Sequence, residues 1–542
     1  MGRQSVKSHA LQQLKAAFQL SQDAAKKGTM DFASVAADRQ PRLISRRKFI
    51  TDVSRAAALI GVAGLYEACS PVNQKTQPVI AIIGGGIAGL HAAYILKNAG
   101  FIAQIYEGSP RIGGRIMSVD GMMGDGLWTE MGGEFIDSTH TDMLNLATQF
   151  QLPLIDRQSA SEAGLNEFAC FFEGKRYFFA DIVKAIHPVA GQIQADIDSL
   201  SDVVAFDRHS DADVALDNIS IAGYIDRLGI TGWFKEFINS SYTAEYGMEA
   251  SAQSAINLLS IFDPGNGTAV KLYGDSDERY SVMGGNSKIC SALAEGLQDQ
   301  IREEYMLTAI EINAANRYVL TFKIAGKGEI SNVADIVLIT IPFTTLREVD
   351  IRVPLPDWKR NVINNVGYGT NSKLFVGVNE RVWRSQGYAG YAFSDNGMMN
   401  GYDHTQMQNN NRGKGGYTIF LGGKAGVDCG NVPMESLQQQ YVPALDAVFP
   451  GVAGQFNGNF QRWYWPGYAF SKCSYLSYKV GQYTTMCDAQ FRPVGNLFFA
   501  GEHCSYEFQG FMNGGAETGR AVAGHIISKL KPAFQSAKQQ RV

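Results

Sequence analysis

The sequence predicts an α/β unit of the Rossmann type, and three features predict it. The apolar run Val79-Ile80-Ala81-Ile82 leads into Ile83-Gly84-Gly85-Gly86-Ile87-Ala88-Gly89-Leu90, which opens the helix-like stretch 90–96. Strand, glycine turn and helix therefore follow in order. A second strand-like run, 102–106, ends at Glu107, about 20 residues past the glycines, where an acid accepts hydrogen bonds from a ribose. The third feature is Ile336-Val337-Leu338-Ile339-Thr340-Ile341, closed by Pro342. An uninterrupted apolar run of this kind suits a strand buried on both faces.

Each element of the first motif has a physical task. Gly84 permits the tight turn, Gly86 lets backbone N–H groups approach a pyrophosphate at the helix N-terminus, and Gly89 lets the helix pack closely on the strand. The glycines alone are weak evidence, but strand, helix and ribose acid in register point to a dinucleotide. Glu107-Gly108-Ser109-Pro110-Arg111-Ile112-Gly113-Gly114-Arg115 comes next, and NAD sites seldom show a glycine pair between two arginines directly after the ribose acid. Near the other end, Asn496-Leu497-Phe498-Phe499-Ala500-Gly501-Glu502 reads as a buried strand ending in glycine and an acid. Gly510-Phe511-Met512-Asn513-Gly514-Gly515-Ala516-Glu517-Thr518-Gly519 then reads as a turn into a helix. Together these segments resemble the flavin-containing amine oxidase family, which includes the monoamine, polyamine and L-amino-acid oxidases. The resemblance runs from about Val79 to the C-terminal helix and is unspecific for the substrate.

The resemblance implies a Rossmann-type FAD-binding domain assembled from residues 78–155, 277–347 and 463–533. A mixed sheet-and-helix substrate domain would take 156–276 and 348–462, making the whole α/β and α+β. Gly284-Gly285-Asn286-Ser287 leads into a helix over 288–297, and 306–312 and 318–324 read as strands. The first inserted segment reads mostly helical, and the second carries strands at 373–378 and 417–421. Arg111, Gly114 and Arg115 are implied to face the cofactor phosphates, and Glu502 to accept from FAD hydroxyls. Gly132, Gly133, Ala309 and Trp465 are also assigned to the cofactor. The helix over 514–527, with the Met512 N–H, is implied to stabilise negative charge on the flavin pyrimidine.

The chemistry implied is hydride transfer from the α-carbon of a neutral amine to flavin N5. The imine is then hydrolysed to an aldehyde and ammonia or a shorter amine, and oxygen returns the flavin to its oxidised form with release of hydrogen peroxide. Tyr475, in Trp465-Pro466-Gly467-Tyr468-Ala469-Phe470-Ser471-Lys472-Cys473-Ser474-Tyr475, matches one wall of the family's aromatic cage. Phe511 falls where the other wall is usually tyrosine. Some relatives attach flavin through a cysteine immediately before the cage tyrosine. Here Ser474 stands there and Cys473 one place earlier, on the opposite face if this stretch is a strand, so non-covalent FAD is expected. Lys373 matches the lysine that holds a water against N5, against the plainer reading of a lysine snorkelling at a strand end. In Glu130-Met131-Gly132-Gly133-Glu134-Phe135-Ile136-Asp137, Phe135 takes the place of the arginine that clamps the carboxylate in L-amino-acid oxidases. A primary amine or polyamine is therefore expected. Glu134 and Asp137 would attract the far ammonium of a diamine or else sit solvated in a loop. Alternatives are an L-amino-acid oxidase, an FAD-dependent dehydrogenase or desaturase of a non-amine substrate, and a non-catalytic exported flavoprotein.

The 542 residues are 45% hydrophobic and 18% charged with a net charge of −4, enough for two domains and no reason to expect nucleic acid. Ser45-Arg46-Arg47-Lys48-Phe49-Ile50 precedes a short apolar run, 56–65. That is the layout of a twin-arginine export signal, and the run is well short of the roughly 20 residues that span a bilayer. The expectation is a leader over 1–77, export by the twin-arginine machinery, and a periplasmic protein. Cys69 stands where a lipid anchor would attach, although Leu65-Tyr66-Glu67-Ala68 is a poor lipobox, and Met30 is an alternative start. The seven cysteines are scattered without a CxxC pair, so neither a metal site nor a disulfide framework is expected.

Overall fold

The computed structural model describes residues 78–265, 270–274 and 276–539. The expected export signal with Arg46 and Arg47, the alternative start Met30 and the anchor position Cys69 lie outside the described residues.

Five strands form a parallel sheet in the order Leu497–Phe499, Ile336–Ile339, Ile80–Ile83, Ala103–Tyr106, Ile301–Arg302. The first strand in sequence lies in its middle, with Ile80 opposite both Ile336 and Ala103. Successive side chains of a strand point to opposite faces, and Ile80–Ile83 divides accordingly between two cores. Ile80 and Ile82 share one with Leu90, Ala93 and Leu96 of the helix Ile87–Asn98 and with Ala516 and Ile526 of the last helix, Met512–Gln539. Ala81 and Ile83 share the other with Leu320 and Phe322. Both faces are dry, which is why the strand is apolar throughout.

Leu320 and Phe322 belong to a four-stranded sheet in the order Gly328–Ala334, Tyr318–Ile324, Tyr305–Ile312, Asp350–Ile351. A seven-stranded sheet follows the order Phe456–Tyr464, Ser372–Val378, Gly415–Leu421, Met399–Asp403, Tyr388–Ser394, Asn166–Phe172, Lys175–Tyr177. The segment expected to be mostly helical carries five α-helices between Phe179 and Leu259, and it also supplies the last two of these strands. The polar run 409–416 ends inside the strand Gly415–Leu421.

Strand Ser372–Val378 decides where the site lies. Leu374, Val376 and Val378 pack on Leu437, Tyr441 and Leu445 of the helix Met434–Val448. The alternate residue Phe375 faces Met123, Leu127 and Met131. Lys373 shares Phe375's face and is thereby aimed at the strip that follows Met131.

Candidate active site

The two glycine loops meet. Gly84 sits at φ +112°, a backbone closed to other residues. A Cβ on Gly89 would fall 2.1 Å from the Gly84 carbonyl oxygen, so any side chain there would push the helix off its strand. Gly113 N–H donates to the Gly85 oxygen at 2.9 Å, and a Cβ on Gly114 would stand 3.2 Å from Gly86 Cα. Between Gly86 and Gly114 backbone faces backbone, and the N-terminus of helix Ile87–Asn98 opens onto the junction. Backbone N–H groups at a helix start beside a glycine pair suit the pyrophosphate of FAD.

The charged residues around this junction are anchored to the chain. Glu107 accepts Gly85 N–H through Oε2 and Ser109 N–H through Oε1, both at 2.7 Å. It braces the first loop, and each oxygen keeps a second lone pair for a ribose hydroxyl. Arg111 and Arg115, expected to face the cofactor phosphates, also have partners within the chain. Arg111 folds back onto the carbonyls of Ile112 and Gly114. Arg115 donates to the Ser474 oxygen at 2.6 Å and to Glu502 Oε1 at 2.7 Å. Glu502 Oε2 accepts Gly510 N–H at 3.0 Å, so Arg115 and Glu502 tie the second glycine loop to both C-terminal motifs. Ala309 follows a bulge in its strand, opposite Asp350 and Thr321, and that strand begins where Tyr305 N–H donates to the Glu107 oxygen.

Residues 130–134 form a clamped strip. A Cβ on Gly132 would lie 1.9 Å from the Arg115 oxygen and 2.9 Å from Trp465 Cζ2, while one on Gly133 would lie 2.6 Å from Met512 Cγ. Trp465 Nε1 donates to the Met131 oxygen at 3.0 Å. Lys373 Nζ donates to the carbonyl oxygens of Glu130 (3.0 Å) and Gly132 (2.9 Å) and to Glu134 Oε2 (2.8 Å). An ammonium has three donors, and all three are used. Lys373 is buried and so does not snorkel at a strand end. Glu130 accepts from Asn286 N–H and the Ser118 hydroxyl, and burial pushes its carboxyl up to about 8.

Beyond the strip lies the aromatic wall. The Tyr475 hydroxyl donates to the Glu245 backbone oxygen, and the Tyr475 ring covers Gly510, next to Phe511. Phe511 meets the edge of His140, with ring centroids 4.9 Å apart. The structure thus brings the two expected cage segments together. Residues 473–475 form no strand, so the alternation argument against Cys473 fails here. The Cys473 thiol is instead turned to the Thr344 hydroxyl.

Glu134 and Asp137 are not solvated. Glu134 is 7% exposed and its Oε2 also accepts the Tyr402 hydroxyl at 2.7 Å. Asp137 accepts Glu278 N–H at 2.8 Å and faces His140 Nε2 at 3.3 Å.

Three further residues were not singled out from sequence. Burial, reinforced by Asp137, pushes the Glu245 carboxyl up to about 7. Burial and the charge of Glu245 push Glu278 up to about 8, against the opposing pull of Arg157. Both glutamates keep some accessible surface of their own. Arg157 stacks on Phe135 at 4.6 Å, which returns a guanidinium to the position where the sequence shows none. No spacing rule connects residues 135, 157, 245 and 278, since four different elements supply them.

A dinucleotide cradle, a clamped strip and an aromatic wall define an FAD-dependent amine oxidoreductase. The chain belongs to the flavin containing amine oxidoreductase family, whose pattern matches residues 87–527. It is 23% identical over 455 residues to an (S)-6-hydroxynicotine oxidase of Paenarthrobacter nicotinovorans, covering 82% of this chain and 98% of that one. It is 22% identical over 482 residues to an L-amino-acid oxidase of Vipera ammodytes ammodytes, covering 82% and 92%. The fold is similar to that of the cyclohexylamine oxidase from Brevibacterium oxydans IH-35A, with a TM-score of 0.71 at 19% identity, covering 84% of this chain and 100% of that one.

Proposed function

We propose that this protein deaminates a primary amine or polyamine and releases hydrogen peroxide. The observation that carries the reading is the convergence of Tyr475, Phe511 and the 130–134 strip at the start of helix Met512–Gln539. Bound FAD would supply the hydride acceptor and the route of the electrons to oxygen. The chain supplies the rest. Tyr475 and Phe511 wall off water and align the amine. Lys373 holds the strip by two carbonyls and one carboxylate, and so sets the distance between that strip and the wall. The helix N-terminus favours negative charge beside Met512. Peroxide release across a panel of amines tests the reading, and a protein inactive on every amine would end it.

A second reading, oxidation of an α-amino acid, is favoured by Arg157 over Phe135. Comparing tyramine with tyrosine separates the two. The flavin is proposed to be non-covalent because Ser474 precedes Tyr475, so acid precipitation should leave FAD in the supernatant. Export by the twin-arginine route is proposed from Arg46 and Arg47. Replacing both by Lys should hold flavin-loaded protein in the cytoplasm of a bacterial host, and continued appearance in the periplasm would refute that route.

A further inference from the structure

Residues 473–475 carry one wall of the site and belong to no strand or helix, so other segments must hold them in place. Ser474 N–H donates to the Gly369 oxygen at 3.0 Å, and Gly369 N–H donates to the Tyr475 oxygen at 2.8 Å. Arg115 donates to the Ser474 carbonyl oxygen at 2.6 Å. The Ser474 hydroxyl donates to Asn371 Oδ1 at 2.6 Å, and both residues are buried.

Asn371 completes the connection. Its Nδ2 donates to the Ala244 carbonyl oxygen at 2.5 Å. A carbonyl only accepts, so the amide nitrogen must face Ala244 and the amide oxygen Ser474. Ala244 lies in the last turn of the helix Gly232–Tyr246, where carbonyls have no partner inside the helix. The next carbonyl, that of Glu245, accepts the Tyr475 hydroxyl. Gly247, the left-handed residue that closes the helix, accepts the N–H and the hydroxyl of Thr370 at 2.7 and 2.9 Å. One helix end therefore holds Tyr475 twice, directly at the tip of the ring and through Asn371 and Ser474 at its base. A ring tied at one point can swing about it, whereas one tied at both ends to the same rigid element cannot. The packing leaves no slack, since a Cβ on Gly369 would fall 2.4 Å from the Tyr246 oxygen and 2.6 Å from Ser474 Oγ.

We propose that Asn371 is a positioning residue for Tyr475, setting the place and tilt of the aromatic wall against the 130–134 strip. Lys373, which clamps that strip, follows in the same stretch of chain, so the start of strand Ser372–Val378 locates both sides of the site. The proposal rests on the amine reading above and adds to it a residue outside the cage. Leucine has about the volume of asparagine but neither donor nor acceptor. Asn371→Leu would leave the Ser474 hydroxyl and the Ala244 carbonyl without each other's bridge and free the base of the wall to shift.

The test uses the holoprotein with tyramine and separates flavin reduction, followed by anaerobic stopped flow, from reoxidation by oxygen. Asn371→Leu should slow reduction by about ten- to a hundredfold, as a misplacement of about 1 Å does, and leave reoxidation unchanged. In a Tyr475→Leu background, which has no wall to place, it should slow reduction by less than about threefold further. Ser474→Ala removes the same hydrogen bond from its other partner and should show the same pattern, so the test stands even if Asn371→Leu yields no holoprotein. A second full loss in the Tyr475→Leu background, or equal slowing of both half-reactions, would overturn the proposal. Visible circular dichroism of the bound flavin, recorded without any amine, is the second measurement. Asn371→Leu should change that spectrum in the direction in which Tyr475→Leu changes it. Such a change supports the proposal even if no amine reduces the protein, in which case the deamination reading alone has failed. A wild-type spectrum in Asn371→Leu, where Tyr475→Leu alters it, overturns the proposal.

Discussion

Glu107 and Glu502, at the glycine-loop end of the site, each have both carboxylate oxygens taken by backbone N–H groups or by Arg115. Among the described residues, the carboxylates of Glu245 and Glu278 have one weak hydroxyl contact between them. The same side chain does two jobs. Where its oxygens are filled by the protein, it fixes the chain around the glycine loops; where they are left open, burial raises the carboxyl instead. Lysines divide in a similar way. Lys373 is neutralised by Glu134, whereas Lys359 is fully buried and held by the carbonyls of Ala489 and Gln490 and the face of Phe499, with no carboxylate partner among the described residues.

The largest expected effect breaks the filled end. Gly132→Ala would place a methyl group 1.9 Å from the Arg115 oxygen and 2.9 Å from the Trp465 ring. Both neighbours are themselves tied, Arg115 to Glu502 and Trp465 to Met131, so neither can retreat cheaply. A loss above about 4 kcal/mol is expected, with little holoprotein recovered. Normal flavin content and an unchanged melting temperature would show the strip to be looser than its contacts imply.

Next comes the pair within the strip. Lys373→Met leaves Glu134 desolvated without its cation, costing about 3 kcal/mol, and should slow turnover while FAD stays bound. Adding Glu134→Leu should recover most of the stability and none of the rate. Full recovery of the rate in the double variant would make the pair merely structural.

Much of this division was legible in the sequence at one end and little at the other. Gly84, Gly86, Gly89 and Glu107 work within one continuous stretch, so their spacing is their geometry, and the run Ile336–Ile339 announces its own burial. Lys373 was legible as a site residue but not in its state, because its partners lie more than two hundred positions away and a lysine's pairing leaves no local trace. Glu245 lies in the last turn of the helix Gly232–Tyr246, whose pattern explains only its core face, Phe234, Phe237 and Ile238. Glu278 and Arg157 lie outside that helix. Only the folding of distant segments onto one wall makes them a group.

Lys359 supplies a pH test of the contrast between lysines. Burial lowers its pKa from 10.5 to about 7. Between those values the folded state binds fewer protons than the unfolded one, so stability rises with pH across that window. From pH 7 to pH 9, wild type should gain about 2 kcal/mol relative to Lys359→Met in urea unfolding. Parallel pH profiles for the two proteins would mean that Lys359 keeps its charge.

The smallest expected effect sharpens the open end. Arg157 is the cation whose charge opposes the rise in the Glu278 pKa, so it competes with an incoming ammonium for the same negative field. Removing it as Arg157→Met takes away a like charge some way from the ligand, a change of about 1 kcal/mol at an effective dielectric between protein and water. The measurement belongs at pH 9, because Glu278 is pushed up to about 8 even with Arg157 present and rises further without it. At lower pH the gain is offset by protonation of Glu278. At pH 9 the KM for putrescine should fall by roughly fivefold, while any activity on ornithine falls with the lost guanidinium. If KM for putrescine instead rises in a protein that still melts normally, Arg157 is positioning the substrate, and the carboxylate-binding reading regains its ground.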